Sequence, residues 1–567
     1  MKLCLRTLRK QSHWLLLGLV ILLTLYMDVY VARNVLDGDV SDFLYCGNIF
    51  AREKDLFSTN YYYSTEVRPL DLSSVFSFFF LLTGQWTLVR VLGTITVQTI
   101  YALSFLFMTR QAGLSRKTRV TVAALSLLPF SIPYARIVLY HLYYTLYLAN
   151  MFFIIGLTLW TLRCGKEGLK QALLPAVLLG LLWIFVGLNG IRHMLLIGIP
   201  LLVGCIVELL RAFRKAPWVY GKPWRQQALL HTEVFRLTLL MVVSCLCFLA
   251  GFVVNQHVLL PYYGIVNSSS AWYAPIQTAQ RYADIWNGWL TAIGVRNSAL
   301  SLVGIRGLSL AAALVSFVWL LYRSVCFLRK GGTMEQRLLG GLYALSMFST
   351  TLVFVFDSGC RFYELYYVPV IVLALPTLAL ELDDHPPVLT ARKALCFLVS
   401  LCFLFQGAYS AWYLRVERRN MDTWSGLTHQ DLTCADECRD CVAFMQENGY
   451  QYGMMPYWHA NVMIELSNGS LTILPYEDAA PPEEIQVLSP TRKGPTGTAS
   501  LNLLLQAQLN PPAPDKKEKK WGDFSFREGD RVMQIRNNYD ILWKKTDGTQ
   551  VGTGIFNGDI GVITEID

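Results

Sequence analysis

Apolar residues in this chain fall into long unbroken runs instead of the alternating or 3.6-residue patterns of soluble elements, and polar residues collect between them. A run of about 20 apolar residues is long enough for a helix to cross the hydrocarbon core of a bilayer. Such runs lie near 14–31, 86–108, 119–134, 136–162, 172–188, 191–210, 236–260, 298–322, 338–356, 365–381 and 394–414. In hydrocarbon the backbone must satisfy its own hydrogen bonds, so each is predicted to be a helix. The expected fold is an all-α polytopic membrane domain of about eleven spans. The basic start (Lys2, Arg6, Arg9, Lys10) leads into a first run with no small-residue cleavage site after it, which predicts a retained span and not a signal peptide.

Composition agrees. Apolar residues make up 54% of the 567 residues, charged residues 16%, and the mean hydropathy is +0.38, more apolar and less charged than soluble domains. The net charge of +9 is concentrated in short loops, RQAGLSRKTR, RCGKEGLK, RAFRKAPWVYGKPWRQQ and RSVCFLRKGG. Under the positive-inside rule these are cytoplasmic, which puts the N-terminus inside and residue 415 onward outside a cell membrane. The thirteen cysteines are mostly single and inside apolar runs, where they act as small hydrophobes. Cys434, Cys438 and Cys441 are spaced i, i+4, i+7. That spacing leaves a metal site, a disulfide or no special role open.

Chemistry concentrates in the first outer loop, 32–85. It opens LDGDVSDFLYCGN, with Asp37, Asp39 and Asp42 just past the first span. A carboxylate at the membrane surface can serve as a general base toward a sugar hydroxyl or hold a divalent cation against a phosphate. An Asp/Gly cluster there is also an ordinary turn. Elsewhere on the outer side, LNGIRHMLL carries Arg192 and His193, and DSGCRFYELYY carries Arg361, Tyr363 and Glu364. Cations at span ends call for a partner or a phosphate, which guanidinium grips bidentately. Snorkelling and an aromatic interface belt are the plainer accounts. His141, in HLYYTLYLAN, is expected to be packed, not catalytic.

Together, the acidic loop, NYYYSTEVRPL (Asn60 to Leu70), the two arginine stretches and GYQYGMMPYWHANVMIELSNGSLTI (Gly449 to Ile473) resemble GT-C glycosyltransferases over about residues 10–473. These are multi-span enzymes that take sugars from polyprenyl-phosphate carriers. The resemblance implies Asp39 as catalytic base with Asp37 assisting, and Gly47 in a small-residue position. It implies Arg192, Arg361 and Tyr363 at the carrier, and Tyr62 and Glu66 at the sugar. The implied partners are membrane lipid and a polyprenyl-phosphate-linked sugar, and a divalent cation is admitted as cofactor. A transporter or flippase is the alternative for a bundle of spans, to be recognised by charges deep within them.

The expected organisation is a membrane domain over 1–414, a short outer domain over 415–473, a linker at 474–484 and an unrelated tail over 485–567. VLSPTRKGPTGTASLN, FREGDRVMQIRNNYD and GTGIFNGDIGVI in the tail resemble RecD-like DNA helicases, at the start of a motor domain and in a small inserted β-barrel. Arg492, Lys493, Arg531 and Arg536 are its candidate contacts to a nucleic-acid backbone. No GxxxxGK[ST] loop is present, so helicase or ATPase activity is not expected, and nucleic acid is not the expected partner. A gene fusion, a frameshift or a join between unrelated stretches near 474–484 is expected.

Overall fold

A computed structural model describes residues 2–61, 63, 67–68, 71–215, 220, 232–263, 279–295, 304–330, 332–356, 364–383, 391–416, 433–476, 497–514, 516–522, 524–545 and 548–567. It divides into two units, Met1–Pro475 and Tyr476–Asp567.

Among the described residues of the first unit, nine helices are long and apolar enough to span a membrane. They are Gln11–Asn34, Trp86–Gln111, Thr145–Glu167, Leu169–Leu188, Met194–Lys215, Glu233–Tyr262, Gly307–Arg329, Met334–Val355 and Ala391–Arg415. The other two expected spans are present as broken helices. The third runs from Arg116 to Ser126, then through Ile132–Tyr134 into a π-helical turn, Ala135–Tyr140. Pro129 and Pro133 explain the interruption, since each removes a backbone donor. It nevertheless climbs the full height of the first span. Arg116 lies 5.0 Å over the Trp14 ring, the Thr24 hydroxyl donates to the Leu127 carbonyl at 3.4 Å, and His141 sits 3.4 Å from Asp37. The tenth, Glu364–Tyr367, Val368–Val372 and Ala374–Asp383, runs antiparallel to the ninth. Tyr367 meets Thr351 at 2.8 Å and the Thr377 hydroxyl donates to the Gly340 carbonyl at 2.9 Å.

These eleven traverses correct the expected boundaries in places. The fourth span begins at Thr145, not 136, because the third extends through its π turn to Tyr140. The eighth span's helix is Ile305–Lys330, shifted from the expected 298–322; Gly304, at φ +107°, precedes it in a conformation that favours glycine.

One apolar cluster, including Met27, Tyr101, Phe130, Phe152, Trp183, Phe317 and Phe403, fills the bundle. Leu19, Leu22, Leu181, Leu246 and Phe397 are exposed on its outside, as a lipid-facing surface requires. Several ion pairs lie at one end of the bundle. Glu208 bonds Arg337 at 2.8 Å, Lys166 meets Glu233 and Glu335 at 3.2 and 3.1 Å, and Glu381 meets Arg323 and Arg392 at 2.8 and 2.6 Å.

The opposite end carries a cap. Val35 and Leu36, just past the first span, pair antiparallel with Cys434 and Thr433, beyond the last. Helices Gly38–Glu53 and Leu72–Phe80 pack against Tyr457–Leu466 through Leu44, Phe76, Trp86 and Met463. Gly47 permits this closeness: a Cβ there would lie 2.7 Å from the Ser73 carbonyl oxygen. The expected outer segment after 415 thus shares a face with the acidic loop.

The second unit has a helix, Thr498–Leu509, and three separate antiparallel ladders. Glu518–Trp521 pairs with Phe524–Arg527, Arg531–Met533 with Ile560–Val562, and Asn538–Lys544 with Val551–Ile555. Asp530 organises it, accepting from Gln506, Asn510 and the Arg527 amide at 2.6, 2.8 and 2.7 Å. Much apolar surface stays exposed, including Trp521, Leu542 and Val551.

Candidate active site

The acidic loop is ordered by its own first carboxylate. Asp37 is the N-cap of helix Gly38–Glu53, with extended backbone angles, and its Oδ1 accepts from the Asp39 and Val40 amides at 3.1 and 3.3 Å. It is buried, and its Oδ2 lies 3.4 Å from His141 Nδ1. Burial first, then the positive charges of Arg136 and Arg90, hold the His141 imidazole well below its usual range. The ring beside Asp37 is therefore neutral and packed. Asp37 thus caps the helix, while Asp39 is half-buried in the first helical turn, where the helix dipole favours a carboxylate.

Asp42 follows one turn on. Its Oδ2 accepts from the Tyr61 hydroxyl at 2.5 Å and its Oδ1 from Asn461 Nδ2 at 3.2 Å. Burial pushes its carboxyl up to about 7, against those two hydrogen bonds and with the charges of Asp39 and Asp71 adding to the rise. A carboxyl raised in the folded state stabilises the fold fully below its ordinary range near pH 4. That contribution is lost as pH climbs toward 7. The difference in thermal midpoint between wild type and Asp42→Asn should therefore change across pH 4–7 and stay flat above it. Parallel pH profiles would contradict this.

Facing the acids is a basic and aromatic wall built by turns between spans. The chain reverses at Leu142, whose φ of +61° is costly for a leucine, and presents Tyr143. Arg192 Nη1 donates to the Tyr143 hydroxyl at 2.7 Å, with its guanidinium carbon 5.5 Å from the ring centre. Arg68 lies 6.0 Å from the same ring and 5.8 Å from Tyr147. Tyr147 stacks on His193 at 4.5 Å, and Asn150 approaches His193 Nε2 at 3.4 Å. Burial would raise the Tyr143 phenol, but Arg192 and Arg68 outweigh it and bring it below its usual value, with Asp39 opposing them. Burial, then Arg68 and Arg192, push the His193 imidazole down to about 3. Asp39, Arg68, Arg192 and Tyr143 thus share one electrostatic environment.

Of the residues expected at the site, Arg192 is bonded to Tyr143, and Asp39 is near enough for its charge to act on that phenol. Tyr62, Glu66, Arg361 and Tyr363 lie outside the described residues, as do Arg492 and Lys493 of the tail. Arg531 and Arg536 are exposed on the second unit. Cys438 is buried and Cys441 exposed, although they share one helix. Among the described residues no group of three His, Cys, Asp or Glu is arranged to hold a metal. Sequence reading missed Arg68, Tyr143 and Tyr147. Arg68 stood inside NYYYSTEVRPL but mid-loop, away from any span end, so the rule that pointed to Arg192 did not reach it.

Three of the turns around this wall are π-helical: Ala135–Tyr140, Met194–Gly198 and Asn255–Leu259. Such insertions re-aim side chains and recur at functional sites. Two guanidiniums flanking a phenol form a surface for an oxyanion, and a carboxylate whose charge reaches that phenol, as that of Asp39 does, is a candidate proton acceptor.

Taken with the spans, this defines a multi-pass helical membrane protein with a polar site at one end of its bundle. Compared with known proteins, the second unit matches the SH3 domain of ATP-dependent RecD-like DNA helicases over residues 501–567. The RecD2 DNA helicase of Deinococcus radiodurans is 31% identical over 121 residues, which is 20% of this chain and 15% of the helicase. Among solved structures, the oligosaccharyltransferase of Archaeoglobus fulgidus, crystallised with a tethered acceptor peptide, is similar with a TM-score of 0.44 and 13% identity. That match covers 83% of this chain and 64% of the other.

Proposed function

We propose that the membrane unit is a glycosyltransferase of the GT-C type, moving a sugar from a polyprenyl-phosphate donor to an acceptor at the face bearing helix Gly38–Glu53. The observation that carries this is that two arginines lie on one tyrosine, Tyr143, at the ends of membrane spans, with the carboxylate of Asp39 acting on the same phenol. In the reaction the acceptor hydroxyl attacks the sugar's anomeric carbon and gives its proton to Asp39. The bond from that carbon to the phosphate oxygen breaks, and the electron pair leaves on the polyprenyl phosphate. Arg68 and Arg192 hold that anion, with the Tyr143 hydroxyl beside it. Asp37 fixes the helix start so that Asp39 stays aimed. By the family resemblance Arg361 and Tyr363 complete the carrier site, and Tyr62 and Glu66 the sugar site. The basic end of the bundle, with Arg116, Arg163, Arg211 and Arg337, is assigned to the cytoplasm and the site to the outer side. The tail takes no part in the reaction.

Shortening Arg68 or Arg192 to alanine is expected to raise KM for the lipid donor about tenfold to a hundredfold, since a charge-assisted contact contributes about 1.5–3 kcal/mol. The assay is transfer of labelled sugar from a polyprenyl-phosphate donor in vesicles holding the full chain. Unchanged donor KM in both variants would remove the arginines from the site.

A flippase would use the buried Asp28 of the first span, which accepts from Gln98 at 2.8 Å. Surface chemistry is favoured because Asp28 has Gln98 as its partner within the bundle, whereas the charges of Asp39, Arg68 and Arg192 act on one phenol at its end.

A further inference from the structure

Arg68 and Arg192 belong to segments far apart in sequence, one in the outer loop and one in the turn between the fifth and sixth spans. We propose that Asn255, at the end of the seventh span, is the positioning residue that sets their separation and so the fit of the donor phosphate. This inference rests on the transferase proposal.

Asn255 is fully buried. The two hydrogens of its Nδ2 go to different backbones, to the Val67 carbonyl at 2.9 Å and the Leu188 carbonyl at 2.7 Å. Its Oδ1 accepts from Gln256 Nε2 at 3.0 Å. Val67 is the residue before Arg68. Leu188 closes the fifth span, and only Asn189, Gly190 and Ile191 separate it from Arg192, with Gly190 at φ +87° making the turn. One amide therefore ties down both segments that carry the guanidiniums. A buried carbonyl without a donor is costly, so both segments are held where that amide is.

The anchor itself is firm. The fifth and seventh spans touch backbone to backbone one turn below it. A Cβ on Gly187 would lie 2.2 Å from the Phe248 oxygen, and one on Gly251 2.0 Å from the Ile184 oxygen. Small residues at both positions let the helices approach this closely. Val67 is also held by Cys46, Phe50 and Tyr63, with Leu259 of the seventh span and Tyr263 just past its end packed against them. Asn255 sits where the loop before the second span, the fifth span and the seventh span meet, and its hydrogen-bond partners, Val67, Leu188 and Gln256, include none of the reacting groups.

The test is a double-variant cycle in the full chain in vesicles, with a polyprenyl-phosphate-linked sugar as donor. Asn255→Ala, and Asn255→Asp with its carboxylate set against two carbonyls, should raise donor KM about tenfold with a smaller change in kcat. Asn255→Gln, which keeps an amide donor, should recover part of the loss. In a background lacking both guanidiniums, Arg68→Ala with Arg192→Ala, the same Asn255→Ala change should cost little more, because both groups it acts through are then gone and the effects are not additive. Additive losses, or an equal fall in kcat and thermal midpoint with donor KM unchanged, would reduce Asn255 to a structural residue and overturn the inference. A wild-type protein that transfers no sugar from this donor overturns the transferase proposal, and the role of Asn255 falls with it.

Discussion

Asp39→Asn is expected to reduce sugar transfer about 10²- to 10⁴-fold, the range for removing a general base, while the protein still inserts and purifies as wild type does. The side chains are nearly the same shape, so helix Gly38–Glu53 keeps its Asp37 cap and its packing through Leu44 on Phe76. Only proton acceptance is lost. The fall should appear in kcat, with donor KM little changed, because Arg68 and Arg192 are untouched. Asp37→Asn provides the contrast: it keeps an oxygen for the Asp39 and Val40 amides, so most activity should remain. Single-turnover transfer with both variants checks the pair. Equal activity in Asp39→Asn and wild type would take the base assignment away.

Glu465→Ala should have the largest effect on stability. Glu465 and Arg90 form a buried pair, with Arg90 Nε donating to Oε1 at 2.7 Å and the Ser41 hydroxyl donating to Oε2 at 2.7 Å. Both side chains are about 1% exposed. Truncating one partner leaves the other charge buried and unmatched, a cost of about 3–5 kcal/mol. This pair joins the second span and helix Gly38–Glu53 to the helix Tyr457–Leu466, so the 433–475 segment should loosen first. A lowered thermal midpoint in detergent, with earlier proteolysis within 433–475, is the expected result. Replacing both partners, Arg90→Met with Glu465→Leu, should recover much of the loss. A single variant as stable as wild type would show that the pair contributes nothing to holding the cap.

The spans were legible because hydrocarbon demands long apolar runs and leaves little freedom in how they fold. The breaks were less so. Pro129 and Pro133 stood in plain view, yet the π turn that carries the third span on to Tyr140 depends on packing against its neighbours. The acidic cluster could be read as a cluster, but the different situations of Asp37 and Asp39 follow from backbone angles that place one as the cap and the other in the first turn. Arg192 could be found by asking what a cation does at a span end. Arg68 comes to the same tyrosine from a loop whose neighbouring Val67 is bonded to Asn255, 188 positions away, and packed on Cys46, Phe50 and Tyr63, contacts no local pattern announces. Tyr143 and Tyr147 looked like two more aromatics in an interfacial stretch. The tail was legible from local motifs alone, and it is described as a unit of its own.

The most direct measurement is a structure of the full chain in lipid with a non-hydrolysable polyprenyl-phosphate sugar. Phosphate density within hydrogen-bond reach of Arg68 and Arg192, with the sugar's anomeric carbon turned toward Asp39, is the predicted result. Ligand found only among annular lipids, with Asp39 facing open solvent, would contradict it.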